Sequence, residues 1–162
     1  MPDPTAARTP AARTPAEVVT ELIHRMAARD YEAALKLYGD EVVVSVEFAL
    51  PQRVEMTRDD LVRGLSSPQA AGMLRMYEDL AIEDLRVHET ADPEVVIAEW
   101  NYRSRVGDET VLNPNIIVVG VRNGQLFFSR DYHNDVTRAV ANGLLPELIE
   151  RLPAMALEQD RA

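Results

Sequence analysis

Between residues 80 and 134 the chain offers four segments rich in β-branched and aromatic residues, parted only by Asp92-Pro93, Gly107-Asp108 and Asn123-Gly124. Each break carries turn chemistry. Asn-Gly is the strongest hairpin signal, because a type I′ turn needs positive φ at both central positions. Residues 80–90, 94–106, 111–122 and 125–134 are therefore predicted to be four strands joined as a meander. Long strands paired through tight turns twist and curl. A curled sheet has a concave face, and that face must be covered.

The cover lies upstream. Thr14-Pro15-Ala16-Glu17 forms a capping box with proline at the first helical position. Val18, Val19, Leu22, Ile23 and Met26 follow at helical spacing, to about Ala28. A short second helix fits Tyr31–Tyr38, with Ala34, Leu35 and Tyr38 on one face and Gly39 as its stop. The β-branched run Val42–Phe48 reads as a strand. Thr57-Arg58-Asp59-Asp60 caps a third helix, continued or renewed through Met73 and Met76. Val136–Leu157 reads as helix interrupted by Gly143, Pro146 and Pro153.

Helices first, one strand among them, then a meander: this order predicts an α+β class. The expected architecture is a cone-shaped α+β barrel, a curved antiparallel sheet whose N-terminal helices enclose one small-molecule pocket. Residues 14–142 would form this domain and 143–162 a C-terminal helical extension. The tail 1–13, with its AARTP repeats, has almost no large apolar side chain to offset its ordering entropy and is predicted to be disordered.

Charge and composition narrow the function classes. A net charge of −10 opposes binding to nucleic acid or to an anionic membrane surface, since both need a basic face. The absence of cysteine removes disulfides, thiolate metal sites and cysteine nucleophiles. No apolar run approaches the roughly 20 residues that span a bilayer, and no apolar N-terminal stretch reads as a signal peptide, so the expected location is the cytoplasm. G-x-S-x-G, G-x-G-x-x-G and P-loop patterns are missing. The three histidines take no metal-ligand spacing with the carboxylates, and neither metal nor cofactor is expected.

The densest chemistry lies in Gln125–Asn134. Side chains alternate across a strand, so Phe127, Ser129, Asp131 and His133 share one face and Phe128, Arg130 and Tyr132 the other. A carboxylate desolvated in an apolar pocket gains the raised pKa that suits proton transfer near neutral pH. A neighbouring imidazole can orient it or share its proton. The alternative is a pair of exposed charges on a surface strand. Trp100 and Tyr102 share a face of the Val95–Val106 strand, either as core or as an aromatic wall with a phenol donor. Met73 and Met76 would be adaptable pocket lining or core. Glu47 shares a face with Val43 and Ser45, as a second buried carboxylate or as a solvated edge position.

The order of elements and the closing motif, Asn123-Gly124-Gln125-Leu126-Phe127-Phe128-Ser129-Arg130-Asp131-Tyr132-His133-Asn134, resemble the SnoaL-like branch of the nuclear transport factor two-like superfamily. That branch includes ketosteroid isomerases, polyketide cyclases, phenazine-pathway proteins and limonene epoxide hydrolases. The resemblance covers roughly residues 15–142 and is most specific over Asn113 to Asn134. In the family's final strand an Asp or Glu follows Arg and precedes an aromatic residue, and projects into a cone-shaped cavity. The epoxide hydrolases read W-R-D-Y-F-D there, with the Asp activating water; phenazine-pathway relatives carry Glu. Both patterns converge on Asp131, and His133 by the same alternation faces the cavity.

The sequence departs from the epoxide hydrolases on the earlier strand. Their R-x-D is replaced by Glu99-Trp100-Asn101-Tyr102, which removes the water-activating set. Ketosteroid isomerases place a base after the first strand; here only Glu47 could substitute. The resemblance thus implies a cofactor-free cyclase or isomerase of a natural-product intermediate such as a polyketide. In it Asp131 moves the proton, His133 tunes it and Tyr102 hydrogen-bonds a carbonyl. Trp100, Phe127, Ser129, Met73, Met76 and Glu47 would contact the substrate. The rival readings are epoxide opening, with Glu47 as second acid, and a binding-only domain. A homodimer is expected through the sheet's convex face, at Val119, Val121, Phe128 and Tyr132.

Overall fold

The computed structural model describes residues 13–50, 52–66 and 80–159. The elements run α1 (Pro15–Ala27), α2 (Tyr31–Leu35), β1 (Tyr38–Val46), β2 (Val54–Thr57), α3 (Arg58–Leu65), β3 (Ala81–Glu89), β4 (Val95–Val106), β5 (Glu109–Arg122), β6 (Gln125–His133), α4 (Asp135–Ala141) and α5 (Leu145–Gln159). Met73, Met76 and most of the expected disordered tail lie outside the described residues.

The start of α1 follows its capping chemistry. The Thr14 hydroxyl accepts from the Glu17 backbone N–H, while the Glu17 carboxylate accepts from the Thr14 N–H at 2.7 Å. The four meander strands fall where the turn residues place them, and Asn123 and Gly124 both take positive φ, 53° and 76°.

The fold is α+β with a curved six-stranded sheet, ordered β2-β1-β6-β5-β4-β3. Two features of the expected barrel change. The sheet is mixed rather than antiparallel, because β1 pairs parallel to β6. It is also curved without closing into a barrel. Turn signals reveal hairpins only, and β1 reaches β6 across most of the chain.

Local readings are corrected too. Tyr38 and Gly39 belong to β1, not to the second helix. The Leu126 N–H donates to the Leu37 carbonyl at 2.8 Å, and Tyr38 aligns with Leu126, so pairing with β6 overrides the helical spacing. β2, unforeseen, pairs antiparallel with the end of β1. In the tail only Gly143, at φ 65°, sits at a break; Pro146 opens α5 and Pro153 lies inside it.

The core forms where Val18, Val19, Leu22 and Ile23 of α1 meet the inner face of the sheet, at Val96, Ala98, Ile117, Val119, Val121 and Leu126. Val119 and Val121 are therefore core residues and not part of the convex face. The pairing of Val119 with Ser129 and Ile117 with Asp131 sets that parity. The outer face carries Phe128 and Tyr132 as expected, together with the exposed Val43, Leu112 and Ile116. Among the described residues no helix is long and apolar enough to cross a membrane.

Candidate functional site

A cavity of about 230 Å³ lies between α1 and the inner face of the sheet. Its helical wall is apolar, made by Leu22, Ile23 and Met26, with Leu65 and Leu80 beside them. Its sheet wall is polar. β6 contributes Ser129, Asp131 and His133; β5 contributes Asn113, Asn115 and Ile117; β4 contributes Trp100 and Tyr102; β1 contributes Tyr38. Arg29, Tyr31 and Arg138 complete the lining.

Asp131 and His133 are both about four-fifths buried. The Ser129 hydroxyl donates to Asp131 Oδ1. Asp131 Oδ2 stands 3.7 Å from His133 Nε2, near enough for charge interaction and too long for a hydrogen bond. The other ring nitrogen, Nδ1, lies 3.0 Å from Asn115 Oδ1. Asn115 is itself oriented, since its Nδ2 donates to the Asn113 backbone carbonyl at 2.7 Å.

Tyr38 is buried, and its desolvation, reinforced by the charge of Asp131 and by Tyr102, pushes the phenol far above its ordinary range. It is a neutral hydroxyl at any working pH. Trp100 and Tyr102 meet edge to face, 5.5 Å between ring centroids. The Trp100 indole N–H and the Asn113 side-chain oxygen are buried with no hydrogen-bond partner among the described residues. Leaving such groups unpaired costs about 1–3 kcal/mol each. Among the described residues no three His, Asp or Glu side chains are grouped to hold a metal ion.

Asp131, His133, Tyr102, Trp100 and Ser129 thus come together at one cavity. Two expected contacts do not join them. Phe127 is displaced by a β-bulge. Gly120 aligns with Phe128 and Val121 with Leu126, which leaves Phe127 as the extra residue while Leu126 takes the inward position. Its ring instead lies under the Arg122 guanidinium, 4.8 Å away. Glu47 follows β1 in the parity of Val43 and Ser45, which align with Phe128 and Arg130 on the outer face. There its carboxylate accepts from Ser45 at 2.6 Å and from Arg53 at 3.1 Å. Those bonds, that of Ser45 foremost, hold its pKa below the ordinary value. Met73 and Met76 lie outside the described residues.

The sequence reading missed Tyr38, hidden by its helix-like spacing, and Asn113 and Asn115, polar residues that resemble a solvated strand end. For the asparagines the available signal was alternation with Ile117, Val119 and Val121.

No protein-family model matches the chain, and no curated protein matches it in sequence. Solved structures do resemble it. A protein from Bacillus subtilis, provisionally named an isomerase, superposes with a TM-score of 0.64 at 21% identity, over 80% of this chain and 92% of the other. A protein from Catenulispora acidiphila DSM 44928 with a ketosteroid isomerase-like fold, in complex with trimethylamine, gives 0.59 at 18%, over 82% and 95%. A provisionally named polyketide cyclase from Pseudomonas putida KT2440 gives 0.56 at 20%, over 75% and 92%. The chain has a ketosteroid isomerase-like fold. Identities this low establish the fold and leave the chemistry to the site. Within a ketosteroid isomerase-like fold, the cavity between the N-terminal helix and the curved sheet is where the polar side chains of this chain converge.

Proposed function

We propose that this protein is a cofactor-independent cyclase or isomerase acting on a small hydrophobic, oxygen-bearing natural-product intermediate of polyketide type. The observation that carries the reading is Asp131: a mostly buried carboxylate, oriented by Ser129, on a polar wall that faces an apolar one. Such a cavity orients a flat molecule, with carbon against α1 and oxygens against the sheet.

The chemistry is proton transfer next to a carbonyl. The Asp131 carboxylate takes the proton of a C–H flanking the carbonyl, and charge develops on the carbonyl oxygen. The Tyr102 phenol donates a hydrogen bond to that oxygen, and neutral Tyr38 adds a second hydroxyl to the same wall. The enolate then either takes the proton back at a conjugated carbon, moving the double bond, or attacks a second carbonyl, closing a ring. In the second case Asp131 returns its proton to the new alkoxide. The names of the solved relatives, an isomerase and a polyketide cyclase, agree with this class of reaction. Epoxide opening needs a second acid, and Glu47, the candidate for it, sits on the outer face paired with Arg53. We also propose that the outer face of the sheet is the contact of a homodimer.

The test is ligand-induced thermal stabilisation of wild type and Asp131→Asn across polyketide-like, steroid and epoxide compounds, with turnover followed by mass spectrometry. Binding retained with turnover lost, by at least about a hundredfold, supports the role of Asp131. Unchanged turnover in a folded variant overturns it.

A further inference from the structure

Four side chains and one backbone carbonyl form a chain of fixed direction across β5 and β6. It begins at the Asn113 carbonyl, which can only accept, so the Asn115 group 2.7 Å away must be its NH2. The amide oxygen is thereby turned to His133 Nδ1, at 3.0 Å. That oxygen can also only accept, so Nδ1 must carry hydrogen. In the neutral ring Nε2 is then the bare, basic nitrogen, and it is this atom that stands 3.7 Å from Asp131 Oδ2. The opposite carboxylate oxygen is already engaged by the Ser129 hydroxyl.

We infer that Asn115 is a positioning residue: by holding His133 as its Nδ1–H tautomer it turns the unprotonated Nε2 toward Asp131, so that the two side chains accept one proton between them. Two acceptors facing each other in a largely buried site repel until one of them takes a proton. The proton removed from substrate therefore enters a site built for it and is held for return. This rests on the reading of Asp131 as the group that moves the proton.

Other groups around the ring do not supply the tautomer. Arg138 and Arg29 line the same cavity, and Asp135 shares the outer groove with the ring. Asp135 already lies 2.9 Å from Arg138 and accepts from the Leu50 N–H. The phenols Tyr38 and Tyr102 line the cavity, and Tyr132 the groove.

The test reads the tautomer directly, by long-range proton–nitrogen NMR of the 15N-labelled full chain without substrate, with His133 assigned against a His133→Gln variant. The expected wild-type ring is Nδ1–H with an unprotonated Nε2 at alkaline pH. Asn115→Leu should shift the ring toward Nε2–H, the form that neutral imidazole prefers in water. Asn115→Asp loses the donor to the Asn113 carbonyl but keeps an acceptor within reach of Nδ1–H, so the tautomer should persist. A wild-type ring protonated at Nε2, or a tautomer unmoved by Asn115→Leu, overturns the inference. If Asn115→Leu fails to fold, the wild-type spectrum and Asn115→Asp decide alone. Because the spectrum needs no turnover, an Nδ1–H ring in a protein that processes no compound would sink the proposed function and leave the role of Asn115 standing.

Discussion

A methyl group on Gly120 would stand 2.4 Å from a carbon of the Phe128 ring and 2.6 Å from one of Phe127. Both rings lean on this bare position, and it is opposite the bulge that sets the inward parity of Ser129, Asp131 and His133. Gly120→Ala should destabilise by about 1–3 kcal/mol, the usual cost of overpacking. At this size that is roughly 2–4 °C of melting temperature per kcal/mol, readable by calorimetry. The same bulge explains what alternation could and could not reveal. Asp131 and His133 were legible because the period of two holds on their side of it. Phe127 was misread because one extra residue flips everything before it. Ligand-induced stabilisation should therefore survive Phe127→Leu and fall with Trp100→Leu, which removes an aromatic wall of the cavity.

Elements with local causes were legible in advance. α1 begins where Thr14 and Glu17 cap it, and the β5–β6 turn follows from Asn123-Gly124. Replacing Thr14 with Ala removes the acceptor for the Glu17 N–H and should cost about 1 kcal/mol. The cap also has a pH signature. The Thr14 N–H, and then its hydroxyl, hold the Glu17 carboxyl below its ordinary pKa. A depressed carboxylate contributes stability above its unfolded pKa and loses it as pH falls through the folded one. Glu17→Gln should thus be less stable than wild type at neutral pH, and urea melts of the two should converge on acidification. β1 was less legible because its boundary is made elsewhere. Tyr38 fits a helical face, and only β6, some 90 residues on, draws it into the sheet. A parallel pairing leaves no turn to betray it.

For the whole molecule, the α+β class and the helix-over-sheet cavity followed from the order of elements, whereas the face of each strand depended on registers that only the folded sheet supplies. The outer face shows the consequence. Phe128 and Tyr132 lie on it, but its exposed apolar strand residues are Val43, Leu112 and Ile116, not Val119 or Val121. Phe48, 64% exposed, extends it by meeting Tyr132 edge to face, and Leu50 and Val136 flank the same groove. An apolar surface spread over three strands and the following turn is uncommon on a monomer, and a stable pair needs about 800 Å² from each partner. Ile116 sits in the middle strands of the sheet, next to the inward Ile117, so its substitution reaches the outer face and spares the cavity. Ile116→Arg should convert a dimeric wild type to monomer in sedimentation velocity, while ligand-induced stabilisation per chain stays unchanged. A wild type that sediments as a monomer at all concentrations would remove the dimer from the proposal. A variant that still dimerises would place the contact on another surface.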